Sequence, residues 1–371
     1  MAGERKTTRV ENGGDGQAAM RIRVFEKVIR SVLIRAEVFV NRLLNREFIP
    51  VALAPFNIET SGACNLKCRF CAYEKKLSPK ISMKNEMFFD CVRQAIGLGY
   101  TEFHLTPCTG DVFMDRHVFE KFAFLDDQPE LRAYHFFTNW TILSRDQILR
   151  LMTLKKLQHV TISVYGHDEK TFLAITKSTP KVYRRLIANL ETVLANLDRL
   201  PFGVSIGFRS TFDVPSADSS ELMRLLSKFR KAGVAVRDSH GIYNNWGGYI
   251  SQEDVADLEM HILPADLTSK SGACVKLFDS VQVMATGVVN GCSCRDVDAT
   301  LQIGDVREMP LEKIMSAKNA QYVQIIEEQQ AGKFRPVCKS CDYYRSIYHQ
   351  PKNYRRDNVP TQGLRKFLSA S

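Results

Sequence analysis

The 371-residue chain reads as an α/β protein: a run of strand–helix units forming a parallel sheet, then a small cysteine-anchored domain. Three observations lead there. Between about residues 55 and 245, short β-rich runs alternate with amphipathic stretches, which argues parallel strands joined by right-handed crossovers. Beyond about residue 245 that alternation lapses. The ten cysteines fall mostly into two groups, Cys64 to Cys71 and Cys274 to Cys341. Six strand–helix units make either an incomplete α/β barrel or a doubly wound sheet. In both, chemistry sits where the strands' C-terminal ends open into loops.

Taken in order, residues 1–20 are polar, mixed in charge and Gly-rich, and read as a disordered tail. Residues 21–46 repeat apolar pairs every three to four positions (Val24/Phe25, Val28/Ile29, Val32/Leu33, Phe39/Val40, Leu43/Leu44) among seven arginines and lysines. This is an amphipathic helix within an N-terminal segment of 21–54. A helix packed on the main domain is the favoured reading; a membrane-surface anchor is the alternative. Strands are expected at 56–62, 102–107, 133–139, 159–166, 203–211 and 234–240. Helices are expected at 181–197 and at 219–233, the latter closing on Gly233 as its C-cap. The parallel-sheet domain thus covers 55–245. In the second domain, 246–348, residues 281–294 read as two short strands about a turn, 310–334 as one helix ended by Gly332, and 338–341 as a loop. Residues 349–371 form a basic tail.

Net charge is +10, which favours anionic partners. No basic run interleaved with aromatic residues appears, so nucleic acid is not an expected partner. No apolar run approaches the ~18 residues of a membrane span, and no secretory signal is present. A reducing, cytoplasmic setting follows, in which clustered thiols are metal ligands more often than disulfides.

"CNLKCRFC" places Cys64, Cys68 and Cys71 directly after the first strand. A cubane iron–sulfur cluster normally takes four thiolates. Three thiolates leave one iron open to a chelating molecule. A zinc site completed from elsewhere, or three unrelated thiols, are the alternatives.

The C-x3-C-x2-C spacing, with aromatic Phe70 before the third cysteine, resembles the signature of the radical S-adenosylmethionine (SAM) superfamily. The resemblance implies a partial (β/α)6 TIM-type barrel and a [4Fe–4S] cluster on the three cysteines. SAM would bind the open iron and be cleaved to a hydrogen-abstracting 5′-deoxyadenosyl radical. "TPCTGD" (106–111) falls at the family's Gly-Gly-Glu-like motif, giving Gly110 and Asp111 to the SAM amino group, with Asp in place of Glu. "FTNW" (137–140) matches a frequent Thr-Asn-Gly and nominates Asn139. "SVYG" (163–166) nominates Ser163. Arg209 is a candidate for the SAM carboxylate, since the loop after strand four offers only Lys177.

The second cysteine group is similar to the SPASM/twitch extension of such enzymes, as is "NNWGG" (244–248). Five cysteines are too few for the two auxiliary clusters of a full SPASM domain. The twitch reading assigns Cys274, Cys292, Cys338 and Cys341 to one auxiliary [4Fe–4S] cluster, with Cys294 as an alternative to Cys292. Spacing alone also allows structural zinc in a zinc-stapled binding module.

The expected activity is hydrogen abstraction from a small, carbohydrate-like metabolite. With the auxiliary cluster as electron acceptor the outcome is oxidation; with a thiol donor it is epimerisation. Cys108 is the candidate hydrogen donor, and Cys91 reads as core. About 55 residues precede the first strand, too few for a peptide-recognition domain, so a peptide-modifying maturase is the runner-up. The implied partners are a small-molecule substrate, for which the net charge favours an anion, and a reductant such as flavodoxin or ferredoxin.

Overall fold

The structure, a computed structural model, describes residues 32–51, 53–106, 108–264 and 269–369. The expected tail at 1–20 and the start of the N-terminal helix lie outside the described residues. Six parallel strands lie side by side in chain order: β1 (Phe56–Ile58), β2 (Glu102–His104), β3 (Ala133–Thr138), β4 (Leu157–Tyr165), β5 (Gly203–Ser210) and β6 (Ala235–His240). Their crossovers carry α1 (Asn85–Gly97), α2 (Val118–Asp126), α3 (Arg145–Leu151), α4 (Glu169–Thr176) with α5 (Pro180–Ala195), and α6 (Glu221–Lys231). This is a partial barrel of the expected class.

Period-two alternation explains which residues face which side. Tyr134 and Phe136 of β3 stack on Phe122 of α2, with ring centroids 5.6 and 5.4 Å away. Intervening residues therefore face inward. In one register Asn57, His104, His135 and His159 lie side by side across β1 to β4. His104 and His135 stack at 4.7 Å, and His159 Nε2 lies 2.8 Å from Ser205 Oγ. The inner face is polar where the outer face is aromatic.

The sheet does not end at β1. Strand β7 (Gln282–Val283) pairs with it in parallel, and β8 (Val288–Asn290) and β9 (Gln302–Asp305) continue antiparallel, giving nine strands in the order β9-β8-β7-β1-β2-β3-β4-β5-β6. The second cysteine region is thus built onto the barrel's own sheet. The single helix expected over 310–334 is two, Leu311–Ile314 and Ala320–Gln330. Asn319 starts the second: its side chain accepts from Gln321 N–H and donates to the Ile303 and Ile314 carbonyls. Such a side chain favours a cap over a helix interior. Gly332 ends it at φ +77°.

The N-terminal helix, residues 32–43, packs on the body, but not by its apolar stripe. Glu37 engages His349 and Arg355, Asn41 Nδ2 donates to the Tyr348 carbonyl, and Val38 is buried. Residues 361–362 then pair with 49–50, and Phe367 packs edge-on against Phe278 at 4.8 Å, so the C-terminal segment is docked.

Candidate active site

The loop after β1 carries Cys64, Cys68 and Cys71 to the C-terminal end of the barrel. It is held from three sides. Lys67 N–H and Arg69 N–H donate to the Thr176 and Ile175 carbonyls at the end of α4. Asp111 N–H donates to the Ala63 carbonyl. Gly110, at φ +108°, lies where any side chain would collide with the Ser61 carbonyl, so only glycine lets these two loops meet.

The polar residues around the thiols divide into supports and cofactor candidates. Asn139 Nδ2 donates to Asn65 Oδ1 at 2.8 Å and reaches Cys64 Sγ at 3.7 Å. Asn65 Nδ2 donates in turn to Thr141 Oγ1. Asp111 is buried, and its carboxylate accepts from Thr138 Oγ1, Asn139 N–H and Phe113 N–H at 2.8–3.0 Å. Burial, opposed by these bonds, pushes its pKa up to about 6. The carboxylate thus ties the ends of β2 and β3 together beside the cysteines. Next to Asn139, Trp140 adopts φ +62°, a strained conformation for a bulky residue. Its buried indole donates to the Asn189 carbonyl, and Asn189 Nδ2 donates back to the Trp140 carbonyl, which holds the strain in place.

Arg209, on β5, faces the thiols, and its charge partly offsets the upward push of burial on Cys68 and Cys71. Burial first, then Asp111, raises Cys64 to about 12. Phe70 stacks on Tyr243 at 4.7 Å and meets Tyr165 edge-on at 5.5 Å. Ser163, nearly buried, is on β4 two residues before Tyr165. Lys177 instead pairs with Glu74 at 2.5 Å.

Cys274, Cys292, Cys294, Cys338 and Cys341 line a cavity of about 360 Å³, counting its open mouth. Among the described residues, no three His, Cys, Asp or Glu side chains converge as a single-ion site requires. Thiols spread around a cavity fit a polynuclear cluster better than one zinc ion. Four of the sulfurs accept an N–H: Cys274 from Arg345, Cys292 from Cys294, Cys338 from Gln329 Nε2 and Cys341 from Tyr343, at 3.3–3.5 Å. Among the described residues Cys294 Sγ has no such donor. It lies instead toward Cys108, and after burial it is the largest cause raising the Cys108 thiol pKa. Arg295 stands beside both cysteines, 5.3 and 5.0 Å over the rings of Trp246 and Tyr343. Trp246 is the centre of "NNWGG", and Asn245 Nδ2 donates to the Ser340 carbonyl. Cys91 is fully buried in the core, as expected.

One feature escaped the sequence reading. Glu59, just past β1, and Lys76, after the cysteine loop, form a buried ion pair at 3.6 Å, with side chains 2% and 0% exposed. Glu59 Oε2 also accepts from Ala285 N–H of the second domain. The pair joins β1, the cysteine loop and the auxiliary hairpin. No motif marks it: Glu59 and Lys76 match no recognised spacing, and Ala285 lies 226 positions from Glu59.

Residues 58–212 match the radical SAM superfamily, and residues 274–342 match SPASM, an iron–sulfur cluster-binding domain. With a partial barrel, three loop cysteines and a cysteine-lined second cavity in place, the chain carries a radical SAM superfamily domain followed by a C-terminal SPASM domain. Its cofactors are SAM and [4Fe–4S] clusters. No curated protein matches the sequence. Similar folds include BtrN in complex with AdoMet and 2-DOIA (TM-score 0.50, 14% identity, covering 81% of this chain and 98% of that one). They also include Streptococcus suis SuiB bound to the precursor peptide SuiA (0.50, 12%, covering 80% and 73%). A third is anSMEcpe with bound AdoMet and a Cp18Cys peptide (0.50, 16%, covering 80% and 93%).

Proposed function

We propose that this radical SAM enzyme oxidises a small polar metabolite at carbon, with the auxiliary site as electron acceptor. The observation that carries the reading is the shared sheet: β7, which opens the auxiliary hairpin, pairs directly with β1, which delivers the SAM-cluster loop. The bound cofactors supply hydrogen-atom abstraction and one-electron transfer. Cys64, Cys68 and Cys71 would hold one cluster, and Cys274, Cys292, Cys338 and Cys341 the other. Gly110 and Asp111 shape the loop against the SAM amino group, Asn139 steadies Cys64, and Ser163, Phe70 and Arg209 line the remaining SAM contacts. A reductant such as flavodoxin or ferredoxin is the electron source.

Epimerisation is the second reading, and Cys108 favours it. Burial and its neighbours hold the thiol in its protonated form, which is the form able to give up a hydrogen atom. The test uses anaerobically reconstituted protein with SAM, reductant and candidate metabolites in D2O. 5′-Deoxyadenosine that forms only with reductant supports the class. Oxidised product that persists in Cys108→Ala supports oxidation. Solvent deuterium in an inverted product, lost in Cys108→Ala, supports epimerisation instead.

A further inference from the structure

The N-terminal helix is turned inside out relative to an ordinary surface helix. Its body-facing side is Ile34, Glu37, Val38 and Asn41. The opposite side carries Val32, Leu33, Phe39, Val40, Leu43 and Leu44, each 50–67% exposed. At 100° per residue these six fall within one arc of roughly 140°. In the segment after the helix, Val51 and Leu53 are also left open, 50% and 53% exposed. Soluble surfaces rarely leave so continuous an apolar face open.

The charge distribution identifies what covers it. Residues 21–54 and 349–371 contain twelve Lys and Arg against four Asp and Glu, and so hold eight of the chain's ten net positive charges. Residues 1–20 are neutral overall, and 55–348 carry only +2. The two basic segments meet in the fold, through the 49–50/361–362 ladder and the Glu37 contacts to His349 and Arg355. Exposed Arg35, Arg46, Lys352, Arg356, Arg365 and Lys366 therefore belong to the same unit as the apolar arc.

We propose that this face lies on an anionic membrane surface, with the apolar arc at the headgroup–acyl boundary and the basic residues on lipid phosphates and carboxylates. The alternatives fit the chemistry less well. A second copy would bring two faces of like charge together. Residues 1–20 are too poor in large apolar side chains to cover the arc. Among the described residues no helix is long and apolar enough to cross a membrane, so the contact is peripheral. It also relocates the chain's basic character. The excess charge addresses a surface, and the barrel itself has little to steer an anionic substrate.

The test is co-sedimentation of the full-length, cluster-loaded protein with vesicles of phosphatidylcholine containing about a third phosphatidylserine. Phosphatidylcholine vesicles and 0.5 M salt serve as comparisons. Binding to the anionic vesicles is expected, weakened at least tenfold by salt or by omitting phosphatidylserine. The Phe39→Glu/Leu43→Glu variant should lose at least tenfold in affinity while keeping the wild-type iron content and thermal midpoint, since both residues are exposed. Binding that survives this double substitution would overturn the proposal, because basic patches elsewhere would then carry it. Absence of binding to anionic vesicles would also overturn it. So would a salt-insensitive dimer that the double variant abolishes.

Discussion

The two cysteine regions of this protein are assembled in opposite ways. The thiols of the first group, Cys64, Cys68 and Cys71, come from eight consecutive residues on one loop. Their supports arrive from other strands: Asn139 beside Cys64, Arg209 beside Cys68 and Cys71, and α4 under the loop backbone. The auxiliary thiols come from segments spread between residues 274 and 341; two of their N–H donors are near neighbours, Cys294 for Cys292 and Tyr343 for Cys341, and two are more distant, Arg345 for Cys274 and Gln329 for Cys338. A local ligand set with a long-range frame can leave one coordination position free for a ligand. A ligand set drawn from distant segments suits a fixed redox centre. The Glu59–Lys76 pair, with its Ala285 contact, is where the two meet.

Removing a loop thiol should break the comparison most completely. Cys71→Ala is expected to abolish reductant-dependent 5′-deoxyadenosine formation, with iron falling from about eight to about four per chain. Iron analysis and chromatography check this. Retention of about eight irons would show that the loop is not a cluster site.

Within the auxiliary region, Cys341→Ala should lose about four irons, whereas Cys294→Ala should keep them, because four other sulfurs already receive donors. Parallel spectra of the two variants sharpen the ligand assignment. Equal iron loss in both would exchange Cys294 for Cys292 in the set.

At the junction, Glu59→Ala leaves Lys76 buried without its counter-charge and should cost about 3–5 kcal/mol in denaturant unfolding. Replacing both residues by apolar side chains of similar volume should recover most of that loss. A cost below 1 kcal/mol for the single variant would separate the two regions mechanically.

The smallest effect is expected on the inner face, away from both sets of thiols. Burial, reinforced by His135, depresses the His104 pKa to about 3. The folded state therefore resists protonation that the unfolded chain accepts. The stability this confers is present above about pH 6.5 and declines as pH falls toward 3, by about 1.4 kcal/mol per unit once the unfolded histidine is mostly charged. His104→Phe should flatten the slope of unfolding free energy between pH 6 and 5. An unchanged slope would assign it to other groups.

Much of this protein was legible in sequence because its signals are local. Strand–helix alternation determined the order of β1 to β6, since side-chain period and crossover handedness are properties of short segments. The three close cysteines and Phe70 marked the loop after β1 as the candidate site for the same reason. Asn319 was a cap inside an apolar period, and there the longer helix expected from sequence gave way to a break. Only tertiary structure could decide the rest. Strand β7 joins β1 across more than two hundred residues, Glu59 meets Ala285 only through that join, and Cys108 faces Cys294 only because the hairpin docks there. The N-terminal helix makes the same point from the other side. Periodicity determined that it has an apolar face, but which face the body occupies depended on Glu37 and Asn41 finding partners near residue 349. Sequence period specifies a surface, and only the packed chain specifies what that surface meets.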